Sequence, residues 1–245
     1  MLNSNPRTLA CVLADMTNSF SRVTVAVALA AVSIAGCSSG ETRSVTRSVD
    51  VGAATSVDVD VNFGAGELRV EGGAPALLDA KFEISGDDPA VEYAVTNGEG
   101  RLSIQPRSGS QPGGGSGEWH LRFQDGVPLD LKVSTGAGET HLELGTLDLG
   151  KLEINQGVGE LHVDLRGTPR RSFEVDLHGA VGEAHIRLPR SVGIIATATT
   201  GVGELNVDGL EKKGNTWINP GHENDAVVIR LNARGDVGEI NISAD

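Results

Sequence analysis

The sequence has few cysteines, few aromatic side chains and no excess of basic residues. Two cysteines among 245 residues are too few for a disulfide framework or a cysteine-based zinc module. Aromatic residues make up 3% of the chain, which leaves few platforms on which sugars or bases could stack. The formal net charge of −13 opposes nucleic-acid binding, because phosphates must be neutralised by Lys and Arg. We therefore expect no nucleic-acid partner.

The chain also lacks a long hydrophobic run. Its longest, residues 23–35, has 13 residues, whereas a helix that crosses a bilayer needs about 20. The run follows Arg22 and ends in small residues, which is typical of an export signal. Ile34-Ala35-Gly36-Cys37 resembles the lipobox of bacterial lipoproteins, whose cysteine is acylated and becomes the first mature residue. The alternative for Cys37 is an ordinary free or buried thiol.

This pattern predicts the organisation of the N-terminal part. Residues 1–36 are expected to form a lipoprotein signal peptide, with Met16 as an alternative translation start, and residues 37–50 a flexible polar tether. Acyl chains such as palmitate on Cys37 would hold the exported protein on a bacterial membrane. The sequence does not distinguish the inner membrane from the outer one.

A short glycine-containing motif recurs after the tether. Its copies are GAGELRVEG, GAGETHLEL, GVGELHVDL, AVGEAHIRL, GVGELNVDG and DVGEINISA, and the three steps between the Glu positions of the middle copies are 21, 23 and 21 residues. Degenerate copies are candidates at Gly98 and Gly115. The predicted turn residues are Gly64, Gly66, Glu67, Gly136, Gly138, Glu139, Gly157, Gly159, Glu160, Gly182, Glu183, Gly201, Gly203, Glu204, Gly238 and Glu239.

Apolar and polar residues alternate on both sides of each glycine turn. Leu161, Val163 and Leu165 follow one turn in this way, which is typical of strands with one buried face. Two strands and two corners per unit predict an all-β, single-domain β-solenoid over residues 51–245, with antiparallel hairpins as the alternative. Exposed strand edges at its ends would invite edge-to-edge self-association, notably at the final strand near Ile240 and Ile242.

The run from Trp119 to Leu165 resembles the toast-rack N-terminal domain of bacterial envelope proteins. The later segments LPRSVGI and AVVIRLNARGDVGEINIS fit the same pattern, so the resemblance covers roughly residues 51–245. It implies a repetitive β fold of the kind also found in candidate adhesins and in proteins that respond to cell-wall antibiotics. It supplies no catalytic residues.

Stacked repeats would place equivalent residues in columns on the outer face. Two residues after the repeat glutamates lie Arg69, His141, His162, His185, Asn206 and Asn241, and His120 joins them if the copy at Gly115 is genuine. With strands about 4.8 Å apart, two adjacent histidines and a carboxylate such as Glu160 could bind Zn²⁺, but three histidines could not share one ion without distortion. The alternative is a polar face whose His and Asn exchange hydrogen bonds with their neighbours.

The sequence contains no nucleophile elbow, phosphate-binding loop or distinctive pair of carboxylates, so we expect neither an enzyme nor a cofactor. The leading hypothesis is an exported lipoprotein that presents a rigid surface to an envelope protein partner or in adhesion, including an accessory role in cell-wall stress sensing. The alternative is a metal- or glycan-binding envelope lipoprotein that uses the His and Glu columns, or the loop around Trp217.

Overall fold

The computed structural model describes residues 42–107 and 117–245, and these residues form an all-β structure. Their strands belong to one 13-stranded sheet. None of the described residues forms a helix able to span a membrane. The strands are β1 (Arg43–Val49), β2 (Ser56–Ala74), β3 (Leu78–Ile84), β4 (Ala90–Thr96), β5 (Glu99–Gln105), β6 (Gly117–Gln124), β7 (Pro128–Glu143), β8 (Asp148–Asp164), β9 (Phe173–Leu188), β10 (Gly193–Asp208), β11 (Glu211–Lys213), β12 (Thr216–Ile218) and β13 (Val228–Ala244).

The six longest strands carry the repeats and lie parallel to one another, in the spatial order β2, β7, β8, β9, β13 and β10. Their motifs are in register, so that Gly159 pairs with Gly182 and Glu160 with Glu183. The antiparallel alternative for these repeats is therefore wrong. Shorter strands flank the row: β6, β3 and β1 adjoin one half of β2, and β5 and β4 adjoin its other half.

Each pair of segments that the sequence places on either side of a glycine turn is one continuous strand. In β8 the buried residues include Leu152 and Ile154 before the turn, and Leu161 and Val163 after it. These buried residues have even numbers before the turn and odd numbers after it. The alternation shifts by one residue because the chain turns a corner at the glycines, where Val158 is exposed. Both halves contribute to one apolar cluster.

The final strand does not lie at an edge. β13 is inserted between β9 and β10, and its Ile240 and Ile242 are only 3% and 2% exposed. The prediction that this strand offers the self-association edge is therefore wrong. At that end of the row the outermost long strand is β10, which β12 covers only at Ile195 and Ala196.

Two segments that were expected to be irregular contain strands. Residues 43–49, assigned to the tether, form β1 on β3 because Val45 and Val49 pack against the core, while Arg43 and Arg47 form ion pairs with Asp88. The predicted loop around Trp217 contains the hairpin β11–β12, which closes through a two-residue turn at Gly214 and pairs with the first half of β10. Its Trp217 is half-buried against the core.

The two degenerate copies have different outcomes. Gly117 and Glu118 of the copy at Gly115 pair with Gly66 and Glu67, so this copy takes its place in the row, although the part of it before Gly117 lies outside the described residues. The segment at Gly98 begins β5 and pairs with the first half of β2, away from the corner. It is therefore not a corner unit.

The corners require the second glycine of each Gly-x-Gly-Glu motif, such as Gly159. Gly159 has a φ of 138°, a conformation that side chains with a Cβ rarely adopt. A Cβ on Gly159 would also collide with the carbonyl oxygen of Gly138 in the adjacent strand, and one on Gly182 with that of Gly159. Backbones of neighbouring corners are in direct contact.

We expect Gly159→Ala to destabilise the fold by at least about 1–3 kcal/mol, the usual cost of a forced left-handed backbone, with the collision adding to it. The matched control is Gly179→Ala in β9, where an added Cβ meets nothing within 4 Å and φ is not in that region. Urea denaturation should show a lower midpoint for Gly159→Ala only. Equal midpoints for the two variants would contradict this account of the corner.

Candidate functional site

The corners of the long strands expose a row of valines, which we call the valine ridge: Val158, Val181, Val237 and Val202 in spatial order. Their exposed fractions are 54%, 47%, 47% and 68%. They occupy the middle position of the glycine corner, where the chain turns and neither face of the strand is covered. Four exposed valines in adjacent strands form a continuous apolar row rather than scattered surface residues.

A second row, the glutamate ladder, runs beside the valine ridge. Strand pairing places its carboxylates side by side in the order Glu118, Glu67, Glu139, Glu160, Glu183, Glu239 and Glu204. Carboxylates on adjacent strands repel one another. The ladder therefore depends on donors that neighbour it.

Three imidazoles next to the ladder stack face to face. The ring centroids of His141 and His162 are 4.9 Å apart, and those of His162 and His185 are 5.0 Å apart, with interplanar angles of 3° and 5°. Each Nε2 lies 2.8 Å from Oε1 of the glutamate two residues earlier in its own strand. An ionised carboxylate only accepts, so Nε2–H is the donor in each pair.

Other donors complete this column at both ends. Asn206 donates to Oε1 of Glu239 at 2.8 Å and to Oδ1 of Asn241 at 3.0 Å, while Asn241 donates to Glu183 at 3.4 Å. The predicted exchange of hydrogen bonds between neighbouring strands thus occurs at the asparagines, whereas the three stacked histidines bond within their own strands.

Arg69 and His120 occupy the same column at its other end. Arg69 contacts Glu67 at 3.5 Å and Glu143 at 3.6 Å. His120 pairs with Arg69 in the backbone register, as the copy at Gly115 predicts. Its Nε2 is 3.0 Å from Glu71 instead of from a member of the ladder.

The candidate metal ligands come together in two overlapping groups. Glu139, His141 and His162 form one group, and Glu160, His162 and His185 form the other, each with its ligand atoms within 4.8 Å of one another. The sequence-based set contained the three histidines and Glu160 but not Glu139 as a ligand. Each group contains two of the three histidines.

An open groove of about 720 Å³ adjoins the stacked histidines, at the end of the row. Its lining includes His162, His185, Asn206, Asn241 and Arg187. The sequence could not indicate this groove, because it depends on β13 lying between β9 and β10. Its imidazole, amide and guanidinium groups offer both donors and acceptors.

A second groove of about 660 Å³ lies on the other half of the strands, and sequence reasoning missed it. Charged side chains line much of it, and Glu153 is the most perturbed of them. The Lys132 ammonium donates to Glu153 at 2.8 Å and Asn155 donates at 3.2 Å, and these hydrogen bonds lower the pKa of Glu153 from 4.5 to about 2.

The ion pair of Lys132 and Glu153 makes the stability of the fold depend on pH. Because the pKa of Glu153 is lowered on folding, its stabilisation is present above about pH 4.5 and is lost as the pH falls towards 2. We expect Lys132→Met to be less stable than the wild type at pH 7, and the difference to shrink between pH 5 and pH 2.5. Lys132→Arg, which keeps the cation, should follow the wild type. Parallel unfolding midpoints for wild type and Lys132→Met across this range would refute the assignment.

Comparison with known proteins gives one matching family and several structures of related fold. The family pattern described as the N-terminal domain of toast_rack, DUF2154, matches residues 38–187. The crystal structure of a candidate cell adhesion protein from Clostridium sporogenes is similar, with a TM-score of 0.78 and 29% identity over 84% of this chain and 100% of the other.

More distant structures were also found. A candidate adhesin from Bacteroides fragilis is 14% identical over 81% of this chain and 97% of its own, with a TM-score of 0.30. One from Parabacteroides merdae is 11% identical over 82% and 97%, with a TM-score of 0.25. No functionally curated protein matches the sequence.

Proposed function

The chain belongs to the toast-rack N-terminal domain family, and from this premise we propose that it is a non-enzymatic, exported envelope protein that binds a protein partner through its glycine corners. The partner is another envelope protein or a protein of an external surface, and an accessory role in cell-wall stress sensing is part of the proposal. The candidate cell adhesion protein of Clostridium sporogenes, similar over nearly its whole length, supports an external binding role.

The valine ridge is the observation that carries the proposal. Its four side chains are about half exposed or more, lie in adjacent strands and are flanked by the carboxylates of the glutamate ladder. An apolar row with a charged border is the arrangement expected of a protein-binding surface. Strand pairing in register holds the row rigid, so that binding costs little conformational entropy.

We also propose a β-solenoid in which each unit of 21–23 residues is one rung. Support comes from the in-register parallel pairing of the corners and from the single apolar cluster they enclose. Self-association, if the chain uses it, would proceed through the second half of β10, because β12 pairs only with its first half.

Attachment to the membrane is the remaining part of the proposal. The lipobox-like Ile34-Ala35-Gly36-Cys37 and the signal peptide over residues 1–36 lie outside the described residues, so the proposal rests on the sequence pattern. Residues 37–42 would then connect a lipid on Cys37 to β1.

We expect Cys37→Ser to move the protein from the membrane fraction to the soluble envelope fraction and to abolish incorporation of labelled palmitate. Cys11→Ser is the matched control, because Cys11 is the other cysteine of the chain and lies in the segment proposed to be removed with the signal. The measurement is cell fractionation combined with palmitate labelling in a bacterial host. Retention of Cys37→Ser in the membrane fraction, with its label, would contradict the lipoprotein assignment.

The protein partner can be sought by cross-linking the intact protein in cells, followed by mass spectrometry of what co-purifies. We expect one stoichiometric envelope or surface protein. The double variant Val158→Asp/Val181→Asp should lose this partner, since it places charges in the middle of the valine ridge. Val95→Asp is the matched control, because Val95 is 37% exposed on β4, away from the corners.

Two outcomes would overturn the proposed surface. One is efficient cross-linking without any stoichiometric protein, including recovery of wall glycan alone. The other is equal recovery of the partner by the ridge variant and by Val95→Asp, which would move the binding surface elsewhere.

A further inference from the structure

The stacked imidazoles are unusual in their chemistry as well as their geometry. Three imidazole rings, each with a carboxylate at 2.8 Å from its Nε2, lie in consecutive strands. Imidazole nitrogen combined with carboxylate oxygen is the donor set that Zn²⁺ and related transition metals prefer, whereas Ca²⁺ and Mg²⁺ favour oxygen alone.

We propose that this column binds one divalent transition-metal ion of the zinc class, at either of two adjacent positions that share His162. In the first position Glu139, His141 and His162 are the ligands, and in the second Glu160, His162 and His185. A water molecule supplies the fourth ligand, as in zinc sites with three protein ligands. The inference is independent of the proposed protein partner.

The ligands can close around an ion with small movements. Their atoms lie within 4.8 Å of one another, and bonds of about 2.0–2.2 Å to a tetrahedral zinc would bring them to about 3.4 Å. Parallel rings must tilt towards each other for their lone pairs to converge. The side chains of His141, His162 and His185 are 22%, 37% and 34% exposed, so they have room on the solvent side to turn.

Binding changes the position of a proton on each ligating ring. The proton that Nε2 donates to the glutamate must leave to solvent before Nε2 can ligate zinc, and Nδ1 then carries the ring's N–H. The glutamate oxygen that accepted that hydrogen bond becomes free to bind the ion. The cation also offsets the repulsion between neighbouring carboxylates of the glutamate ladder.

The residues next to the three histidines in the column confine the metal site to β7, β8 and β9. Arg69 follows His141 on one side and contributes a positive charge, while Asn241 follows His185 on the other side and offers only an amide. Because both positions take one ligand atom from His162, the second position cannot fill while the first is occupied. The expected capacity is therefore one ion per chain.

Because His162 belongs to both positions, its replacement should have a larger effect than replacement of His141 or His185. The full chain, solubilised in a mild detergent, is titrated calorimetrically with ZnCl₂ alone at neutral pH, and the wild type should bind one equivalent. His162→Asn should weaken binding by more than about tenfold, because it removes a ligand from both positions. His141→Asn and His185→Asn should each still bind one equivalent, and the double variant of these two should behave like His162→Asn.

Asparagine is the replacement of choice because Asn206 and Asn241 already occupy this column and donate to the ladder. The matched control is His178→Asn in β9, an exposed histidine before the corner, which should bind like the wild type. Substituting Co²⁺ for zinc should give the visible absorption of a four-coordinate nitrogen and oxygen site in the wild type, and not in His162→Asn.

Three results would overturn the proposal. Absence of zinc binding by the wild type excludes the site, and undiminished binding by His162→Asn places the ion elsewhere. Loss of binding in both His141→Asn and His185→Asn would exclude two alternative positions. Thermal unfolding of each variant without metal separates a lost ligand from a lost fold.

Discussion

The contact between glycine corners of neighbouring strands is the constraint on which the rest of the structure depends. The Cα of Gly159 lies so near the carbonyl oxygen of Gly138 that no side chain fits between them, and Gly182 repeats this contact with Gly159. Once the corners are fixed, the two-residue alternation of a strand determines which later side chains point inward. Each later position, whether buried or exposed, then meets its equivalent in the next strand.

Alignment of identical motifs has an electrostatic cost. Carboxylates about 4.8 Å apart repel by about 1 kcal/mol per pair in water, and the glutamate ladder repeats this across seven strands. The next outward residue in each of these strands is Arg, His or Asn, and each can donate to a carboxylate. Among them, His120 contacts Glu71, a glutamate outside the ladder. The donors make a repetitive acidic surface compatible with a stable sheet.

Much of this arrangement could be predicted from the sequence, because it follows from local pattern. The glycine corners, the buried alternation around Leu161 and the column of His141, His162 and His185 all depend on spacing within a single strand. The order of the strands could not be predicted, since the copies in β10 and β13 carry almost the same motif. Nor could β1, whose Val45 and Val49 are separated by charged and hydroxyl side chains that are typical of a linker. This segment forms a strand because it pairs with β3, and its composition does not indicate that pairing.

The insertion of β13 between β9 and β10 has a consequence for biosynthesis. Because the chain is made and emerges from its N-terminus, β10 is available before β13, when the edge of β9 is still unpaired. β10 carries the Gly-Val-Gly-Glu motif that fits this edge, so a nascent chain can form a β9–β10 pairing in which every buried side chain is correctly oriented. The native order then requires that pairing to open before β13 can enter. We therefore expect folding to be slowest at the C-terminal end, because of the order of three similar strands.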